Sequence, residues 1–336
     1  MTAISSSEAL GGSQLRDWLR HHGWTLGVWL LLGALVVWYS TLVPSFGGFE
    51  LSLIVNNSLP IAFLALGQAV IVIAGGIDLG VGSMMVLTNV VAAKYMEGES
   101  FAVAILIAVV LIAAAAILNG IVGWIINVSK VPDIVITLAT LFIFAGFALA
   151  ILPSPGGGAP GRFRWLFTGS ESGIGRNAWP AIIMLALATQ VVGLWLVKTR
   201  NGLSLYALGS DPTAAYLSGV RNSKAKILSY AIGGGLAAMA GLATTALTGS
   251  GSPRLSIAST ATLNSVAAIV LGGIALTGGI GSVVGASGAA IVLFILNPIL
   301  TARGVDPNSA RVIQGLLIIF VLMIAGVLEQ RRQRRS

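Results

Sequence analysis

Long stretches without a charged residue constrain this chain more than any other feature of its sequence. Between Glu50 and Lys94 the only charged residue is Asp78. About 20 apolar residues in a helix cross the hydrocarbon core of a bilayer, and a helix satisfies its own backbone hydrogen bonds there. Only 9% of the 336 residues are charged, against about 25% in soluble domains. A soluble enzyme, a nucleic-acid-binding protein and a disordered chain are therefore poor interpretations.

The spacing of the apolar stretches predicts an all-α membrane protein, a polytopic helical bundle of about ten transmembrane helices. A segment at 1–23 precedes the transmembrane domain at 24–328, and a basic tail occupies 329–336. The helices are predicted at 24–43, 51–74, 81–96, 102–126, 133–152, 179–197, 227–248, 260–276, 282–301 and 311–328. Gly, Ser and Thr weaken the apolar pattern at 81–96 and 260–276, so a pair of broken segments remains an alternative there.

Lys and Arg residues predict the orientation of these helices, because loops on the cytoplasmic side carry an excess of them. Most of the 19 basic residues fall in segments that are cytoplasmic when the N-terminus is inside. An even number of helices then places both termini and the polar loop at 198–226 in the cytoplasm. Because these basic residues orient the chain in the membrane, the net charge of +8 gives no reason to expect a nucleic-acid partner. The first apolar segment is too long for a signal peptide and is predicted to be a retained helix.

The rarity of reactive side chains excludes several kinds of site. The chain has no Cys, and its two His residues, His21 and His22, precede the first predicted helix. A disulfide framework, a thiolate nucleophile, a metal site and a catalytic triad are therefore not expected. No Gly-Lys dipeptide occurs, so the P-loop that binds ATP in many NTPases is missing. We expect a non-catalytic protein without cofactors, in which uphill transport would draw on a partner or an ion gradient.

The polar loop at 198–226 carries the clearest local signal. Asp211 is suited to cap a helix, Pro212 to open it and Gly219 to end it. The loop is therefore predicted to hold a helix of about two turns at 211–219, which is too short to be stable alone in water. It needs a partner surface, either the bilayer interface or a cytoplasmic subunit. The residues predicted to make that contact are Ser210, Asp211, Pro212, Thr213, Ala214, Ala215, Tyr216 and Leu217.

Asp78 lies in a glycine-rich run at 74–83. A carboxylate at membrane depth costs about 2.5–3.5 kcal/mol and is expected to face protein or water, while glycines permit turns and close backbone approach. Three roles are considered: lining a translocation path, capping the third helix, and relaying protons, although no second carboxylate in the membrane is evident. A similar run follows at 272–282. The candidate gate residues of the two runs are Gly75, Gly76, Gly80, Gly82, Gly272, Gly273, Gly278 and Gly279.

Four stretches resemble, in order, the permease subunits of sugar-type ABC importers. These are the ribose, xylose and galactose branch of the family that also holds branched-chain amino acid permeases. The matching stretches are 74–83, the loop at 198–226, the helix at 228–242 and the glycine-rich run at 270–282. Gly80 stands where the branch usually has Ser. Asp211-Pro212-Thr213 stands where an Asn-Pro-Glu-like run is common, which leaves the partner ATPase less defined.

The resemblance implies a transmembrane permease subunit of an ABC importer in the bacterial inner (plasma) membrane. Such a subunit forms the path for a monosaccharide of the pentose or hexose class. The implied partners are an ABC ATPase subunit, a periplasmic sugar-binding protein and a second permease chain, identical or related. The loop at 198–226 would couple the chain to the ATPase. The alternatives are an ion-coupled secondary sugar carrier, for which only Asp78 is a candidate, and a structural or receptor-like subunit, which would not need glycine-broken segments.

A sugar path needs groups that bond hydroxyls, and amide side chains offer both donors and acceptors. The candidates for the path are Asp78, Asn56, Asn57, Gln68, Asn89 and Asn264; Asn119 and Asn297 also lie in predicted helices. Hydrogen bonding between helices is the alternative role for each amide. On the outer side, the loop after Pro153 carries Arg162, Arg164 and Trp165. It is interpreted either as a flexible loop with an interfacial Trp or as a contact for an acidic lobe of the binding protein.

Overall fold

The computed structural model describes residues 5–306 and, beyond them, 308–310, 312–316, 319–320 and 323, with side chains described from residue 23 onward. The predicted tail at 329–336 and much of the predicted helix at 311–328 lie outside the described residues. The named elements are all α-helices: α1 (Ser5–Leu42), α2 (Gly48–Ile73), α3 (Val81–Met96), α4 (Phe101–Ser129), α5 (Asp133–Ile151), α6 (Gly161–Thr168), α7 (Trp179–Lys198), α8 (Arg200–Ser210), α9 (Pro212–Leu217), α10 (Asn222–Thr248), α11 (Leu255–Leu271) and α12 (Val283–Ala302).

Seven of these helices are long and apolar enough to cross a membrane. They are α2, α4, α5, α7, α10, α12 and the part of α1 from Gly23 to Leu42. Two further apolar helices are shorter, α3 with 16 residues and α11 with 17. The predicted all-helical membrane fold is therefore confirmed. The count of about ten transmembrane helices stays a prediction, because α3, α11 and the segment after 306 would have to supply the remainder.

Helix α2 is the centre of the bundle. Its most apolar stretch is 89% buried, against 17% for α4 and for the membrane part of α1. Helices α10, α11 and α12 pack on α2, and α3 lies among α5, α10 and α11. Helix α1 packs along α12 and is fastened by two indole N–H groups. Trp24 donates to the Leu271 carbonyl at the end of α11, and Trp29 donates to the Val284 carbonyl in α12. Apolar side chains of α4, α5 and α7 point outward, as lipid-facing helices require.

Glycine allows α10 to approach its neighbours closely. Gly234 lies against the backbone of Ala115 in α4, and Gly241 lies against the carbonyl of Met85 in α3. Lipid tails give helices no hydrophobic reason to associate, so small residues that bring backbones together stabilise the packing. This close packing makes α10 the link between the centre of the bundle and α4.

The structure corrects several predicted boundaries. The stretch predicted to be a loop after Pro153 contains α6, and the polar loop contains α8 ahead of α9. The helix predicted at 260–276 lies five residues earlier, because Gly273 adopts φ +88° just after α11 ends. Helix α10 begins at Asn222 rather than at 227, since its first two turns carry Lys224 and Lys226 beyond the apolar span. Hydropathy alone does not detect amphipathic or charged turns of this kind.

Replacing Gly234 with Ala should destabilise the bundle. A Cβ at residue 234 would lie 2.5 Å from the carbonyl oxygen of Ala115, so α10 would have to move away from α4. Overpacking of this kind costs roughly 1–3 kcal/mol, and we expect a lower Tm for the detergent-solubilised chain. Gly235→Ala is the matched control, because the nearest atoms to a Cβ there are 3.8 Å away. Equal Tm values for the two variants would contradict this account of the packing.

Candidate coupling and translocation site

Helices α8 and α9 form a short hairpin that is fixed by local hydrogen bonds. The Thr199 hydroxyl accepts from the Gly202 N–H at 3.0 Å and caps α8. Asp211 caps α9, its Oδ1 accepting from the N–H groups of Thr213 at 2.8 Å and Ala214 at 3.0 Å. Burial raises the pKa of Tyr206, whose hydroxyl donates to the Gly281 carbonyl at 3.0 Å. The hairpin therefore has a defined geometry although both of its helices are short.

Helix α9 leaves most of its surface uncovered. Ala215 is buried against the rest of the chain, while Ser210, Asp211, Pro212, Thr213 and Ala214 are exposed. The two large side chains at its end are strongly exposed, Tyr216 at 70% and Leu217 at 80%. These two adjacent large side chains, at the end of α9 away from the turn of the hairpin, form a contact surface that this chain does not cover within its described residues.

The other end of the hairpin is inserted between the two glycine-rich loops at 74–80 and 272–282. The Gly279 N–H donates to the carbonyl of Ile73 at the end of α2, at 2.9 Å. A Cβ at Gly209 would lie 2.5 Å from the Gly279 nitrogen and closer still to the Ile73 carbonyl. A Cβ at Gly278 would lie 2.9 Å from the Cα of Gly75. We call this backbone junction of Gly75, Gly209, Gly278 and Gly279 the glycine joint.

The two glycine-rich loops begin with the same helix ending. At the end of α2, Gly75 has φ +77° and Gly76 N–H donates back to the Ile71 carbonyl at 3.0 Å. At the end of α11, Gly273 has φ +88° and Ile274 N–H donates to the Ile269 carbonyl at 2.9 Å. These are αL endings that favour glycine. Gly76 follows the αL residue of the first loop, whereas Gly272 precedes the αL residue of the second loop. The structure therefore makes Gly75 equivalent to Gly273, although the similarity of the two sequences pairs Gly75-Gly76 with Gly272-Gly273.

Asp78 shapes the turn that enters α3. Its side chain is fully buried, and its Oδ1 accepts from the Gly80 N–H at 2.6 Å. Its other carboxyl oxygen has no hydrogen-bond partner among the described residues. Gly80 and Gly82 are packed too closely for a side chain, Gly82 against the carbonyl of Ala258 in α11. Asp78 therefore fixes backbone next to α3, and its side chain is enclosed by the residues that the structure describes.

A second carboxylate, which the sequence analysis did not identify, clamps the first loop. Asp133 at the start of α5 pairs with Lys226 of α10 at 2.7 Å and accepts from the Tyr230 hydroxyl at 2.9 Å. Tyr230 also lies 3.3 Å from the Ile77 carbonyl. A Cβ at Gly76 would be 3.0 Å from both Asp133 Oδ2 and the Tyr230 hydroxyl oxygen. Asp133 is the only acidic residue between Glu99 and Glu171. This isolation in an apolar part of the sequence could have identified it as a site residue.

Two of the predicted amide candidates, Asn56 and Asn89, join helices together. Asn56 donates to the Thr168 carbonyl at 3.1 Å, and Asn89 donates to Thr245 at 2.9 Å while accepting from the Ser252 N–H. Asn57 bonds within its own helix, to the Leu53 carbonyl at 2.8 Å. The side chain of Gln68 is fully buried, and neither of its amide atoms has a partner among the described residues.

Asn264 differs, because it belongs to a polar stripe on the outward face of α11. Ser256 and Thr260 are exposed on that face, Ser259 and Asn264 are partly exposed, and Leu263 is exposed between them. Positions three and four residues apart share one face of a helix. Polar side chains on a membrane helix are expected to face water or another protein rather than lipid. The serine and threonine positions were missed because each is only weakly polar by itself.

Arg164 fastens the opposite end of the bundle. Its guanidinium donates to the carbonyls of Ala246 at 3.0 Å and Ser172 at 2.7 Å, which ties α6 to the end of α10. Burial lowers the pKa of Arg164, but an arginine stays charged in proteins. Arg162 is exposed on the same helix. Of the two arginines predicted for an outer contact, Arg162 is therefore the one whose side chain is accessible.

Comparisons with known proteins find a matching family and several similar permease proteins. A family model described as branched-chain amino acid transport system, permease component, matches residues 50–322. The ribose import permease protein RbsC of Bacillus subtilis (strain 168) is 32% identical over 306 residues, covering 89% of this chain and 92% of that protein. RbsC of Escherichia coli (strain K12) is 29% identical, covering 88% and 91%. The autoinducer 2 import system permease protein LsrD of Escherichia coli O9:H4 is 29% identical, covering 93% and 94%. No solved structure matches significantly.

Replacing Gly209 with Ala should open the glycine joint. The added methyl group would overlap the Ile73 carbonyl and crowd Gly279, so the end of α8 must separate from both loops. We expect a destabilisation of roughly 1–3 kcal/mol, measured as a lower Tm, and faster proteolysis within 198–226. Gly146→Ala in α5 is the control, because no atom lies within 4 Å of a Cβ there. Unchanged Tm and proteolysis in Gly209→Ala would show that the joint is not tightly packed.

Proposed function

The chain belongs to the family of branched-chain amino acid transport system permease components, and on this premise we propose that it is the transmembrane permease subunit of a bacterial ABC importer for a monosaccharide. The ribose and autoinducer 2 permeases among its relatives support a sugar-like cargo. The observation that carries the proposal is the α8–α9 hairpin, which is exposed at Tyr216 and Leu217 and joined at its other end to two gate loops. The hairpin connects an exposed contact surface to the interior of the bundle.

We propose that an ABC ATPase subunit docks on the tip of α9. Closure of the ATPase on ATP would move α9, and α8 would carry that movement to the glycine joint. Because the joint consists of backbone contacts, little displacement is lost in side-chain rearrangement. The loops at 74–80 and 272–282 end α2 and α11, so a shift of the joint changes the packing of both helices between two discrete arrangements. The hairpin and both chain termini are then cytoplasmic.

The polar stripe of α11 is proposed to line the translocation path, facing a second permease chain across it. Hydroxyl and amide groups at Ser256, Thr260 and Asn264 can exchange hydrogen bonds with sugar hydroxyls. Asn56, Asn57 and Asn89 are engaged in bonds within the bundle, which supports a structural role for them, and Asp78 and Gln68 are buried behind the path. At the opposite end, exposed Arg162 is a contact for a periplasmic sugar-binding protein.

An ion-coupled carrier acting without an ATPase is the alternative function, and one observation favours it. The structure brings the buried carboxylate of Asp78 into the same loop region as Asp133. Asp133, however, is already neutralised by Lys226 at 2.7 Å. Sugar uptake that continues when the ATPase gene is deleted, but stops when a protonophore collapses the proton gradient, would establish the carrier in place of the importer.

Removing the two exposed side chains of α9 should uncouple the permease. An anchor at the centre of an interface contributes about 2 kcal/mol or more. The double variant Tyr216→Ala with Leu217→Ala is therefore expected to lose the ATPase subunit on co-purification and at least about tenfold of its sugar uptake. Leu187→Ala, 60% exposed on α7, is the control for loss of an exposed leucine. Normal uptake by a double variant that reaches the membrane at wild-type levels would remove α9 from the coupling mechanism.

Removing hydrogen-bonding groups from the α11 stripe should impair transport without uncoupling it. Thr260→Val and Asn264→Ala are expected to lower the rate of sugar uptake about tenfold when combined, because a lost hydrogen bond is worth about 1 kcal/mol. Association with the ATPase and the basal rate of ATP hydrolysis should not change. Thr244→Val on α10, whose hydroxyl bonds within its own helix, is the control. Wild-type uptake in the combined variant would mean that the path runs elsewhere.

A further inference from the structure

Three basic side chains converge on a cleft beside α9. The cleft has a volume of about 800 Å³ and lies between α8 and the beginning of α10. Arg200, Arg221 and Lys224 line it together with Leu203 and Leu228. The three cations come from separate positions in the chain, the start of α8, the segment after α9 and the first turn of α10. The fold therefore brings these three side chains to the same cleft.

These cations have no anionic partner in the part of the chain that the structure describes. The salt bridge found there joins Asp133 to Lys226, outside the cleft. Asp211 is the only acidic residue between Glu171 and Asp306 in the sequence. Its Oδ1 accepts two backbone N–H groups of α9. The cleft therefore carries uncompensated positive charge.

The placement of the cations opposes the dipoles of the helices that carry them. Arg200 is the first residue of α8, Arg221 is the N-cap of α10 and Lys224 lies in the first turn of α10. The N-terminal end of a helix is positive and disfavours cations. Lys130 and Lys198, by contrast, lie at the C-terminal ends of α4 and α7, where the dipole favours them. Orientation in the membrane requires basic residues in this loop, but it does not require them at helix N-termini.

We infer that the cleft receives an acidic surface segment of the ATPase subunit, next to the contact made by Tyr216 and Leu217. This inference rests on the proposed function and adds the charge of the partner surface. The cleft is continuous with the proposed contact, because its lining includes Ser218 and Gly219, which directly follow α9. Helix α10 packs among α2, α3 and α4, so its first turn lies on the end face of the bundle rather than on a lipid-facing side. Opposite charges at such a contact speed association and select the partner.

Binding of the purified ATPase subunit to the full-length chain tests the inference. The chain is placed in nanodiscs of uncharged phosphatidylcholine, and Kd is measured between 50 and 500 mM KCl, a range chosen because salt screens surface charge. Neutralising the cleft with Arg200→Gln, Arg221→Gln and Lys224→Gln should raise Kd at least about tenfold at low salt and flatten its dependence on salt. The single variant Lys224→Gln should show a smaller change of the same kind. Lys130→Gln with Lys198→Gln is the control for loss of basic residues outside the cleft.

The outcomes separate this inference from the proposed function. If the cleft variants keep both the wild-type Kd and the wild-type salt dependence, while the Tyr216 and Leu217 variant loses binding, the inference is wrong and the coupling role of α9 stands. If the wild-type chain does not bind the ATPase at all, both fail. Should the wild type retain phosphatidylglycerol during purification from native membranes, and the cleft variants lose it with Kd unchanged, the cleft binds lipid and the inference is also overturned.

Discussion

Direct contact between backbones is the constraint on which the rest of this structure depends. In a bilayer, helices gain little from burying apolar side chains against each other, so close approach at small residues has to hold them together. Gly234 brings α10 onto α4, and Gly209 brings α8 against the end of α2 and the loop at 272–282. Contacts of this kind have no flexible side chain between the two backbones that could absorb a displacement by changing its rotamer. Residues so far apart in sequence are consequently held in a fixed relation, and a displacement at one helix must appear at the other.

Polar interactions complement that packing around the first glycine-rich loop. An ion pair that is partly withdrawn from water is stabilising only when its remaining groups are also satisfied. Asp133 meets this condition by pairing with Lys226 and accepting from Tyr230, which in turn contacts the Ile77 carbonyl. Lys226 lies in the second turn of α10, nine residues after α9 ends. In the proposed coupling, movement of α9 would therefore reach the loop at 74–80 by two routes, through the glycine joint and through this network.

Local patterns in the sequence predicted local structure well, and failed where distant residues meet. The helix predicted at 81–96 has those bounds in the structure, and Asp211 caps α9 as its position before Pro212 indicated. The helix α8 was missed because its polar and apolar residues alternate too evenly for a hydropathy window. The partnership of Asp133 with Lys226 spans 93 residues, and no spacing rule connects residues so far apart. The stripe on α11 was only partly detected, because Asn264 is conspicuous while Ser256 and Thr260 are ordinary in membrane helices.

The surfaces that this chain leaves incomplete point to one mechanical system. Exposed Tyr216 and Leu217, cations at the positive ends of helices, and hydroxyls on the outward face of a membrane helix are each unfavourable for an isolated chain. They are not scattered. The first two adjoin α9, α9 follows α8 after Asp211, and α8 ends at the glycine joint, whose Gly278 and Gly279 belong to the loop that follows α11. Helix α11 carries the third. In the proposed mechanism, a partner that binds around α9 would act through the glycine joint and the loop at 272–282 on α11, whose polar face needs water or another chain. This connection is what a subunit driven from outside requires.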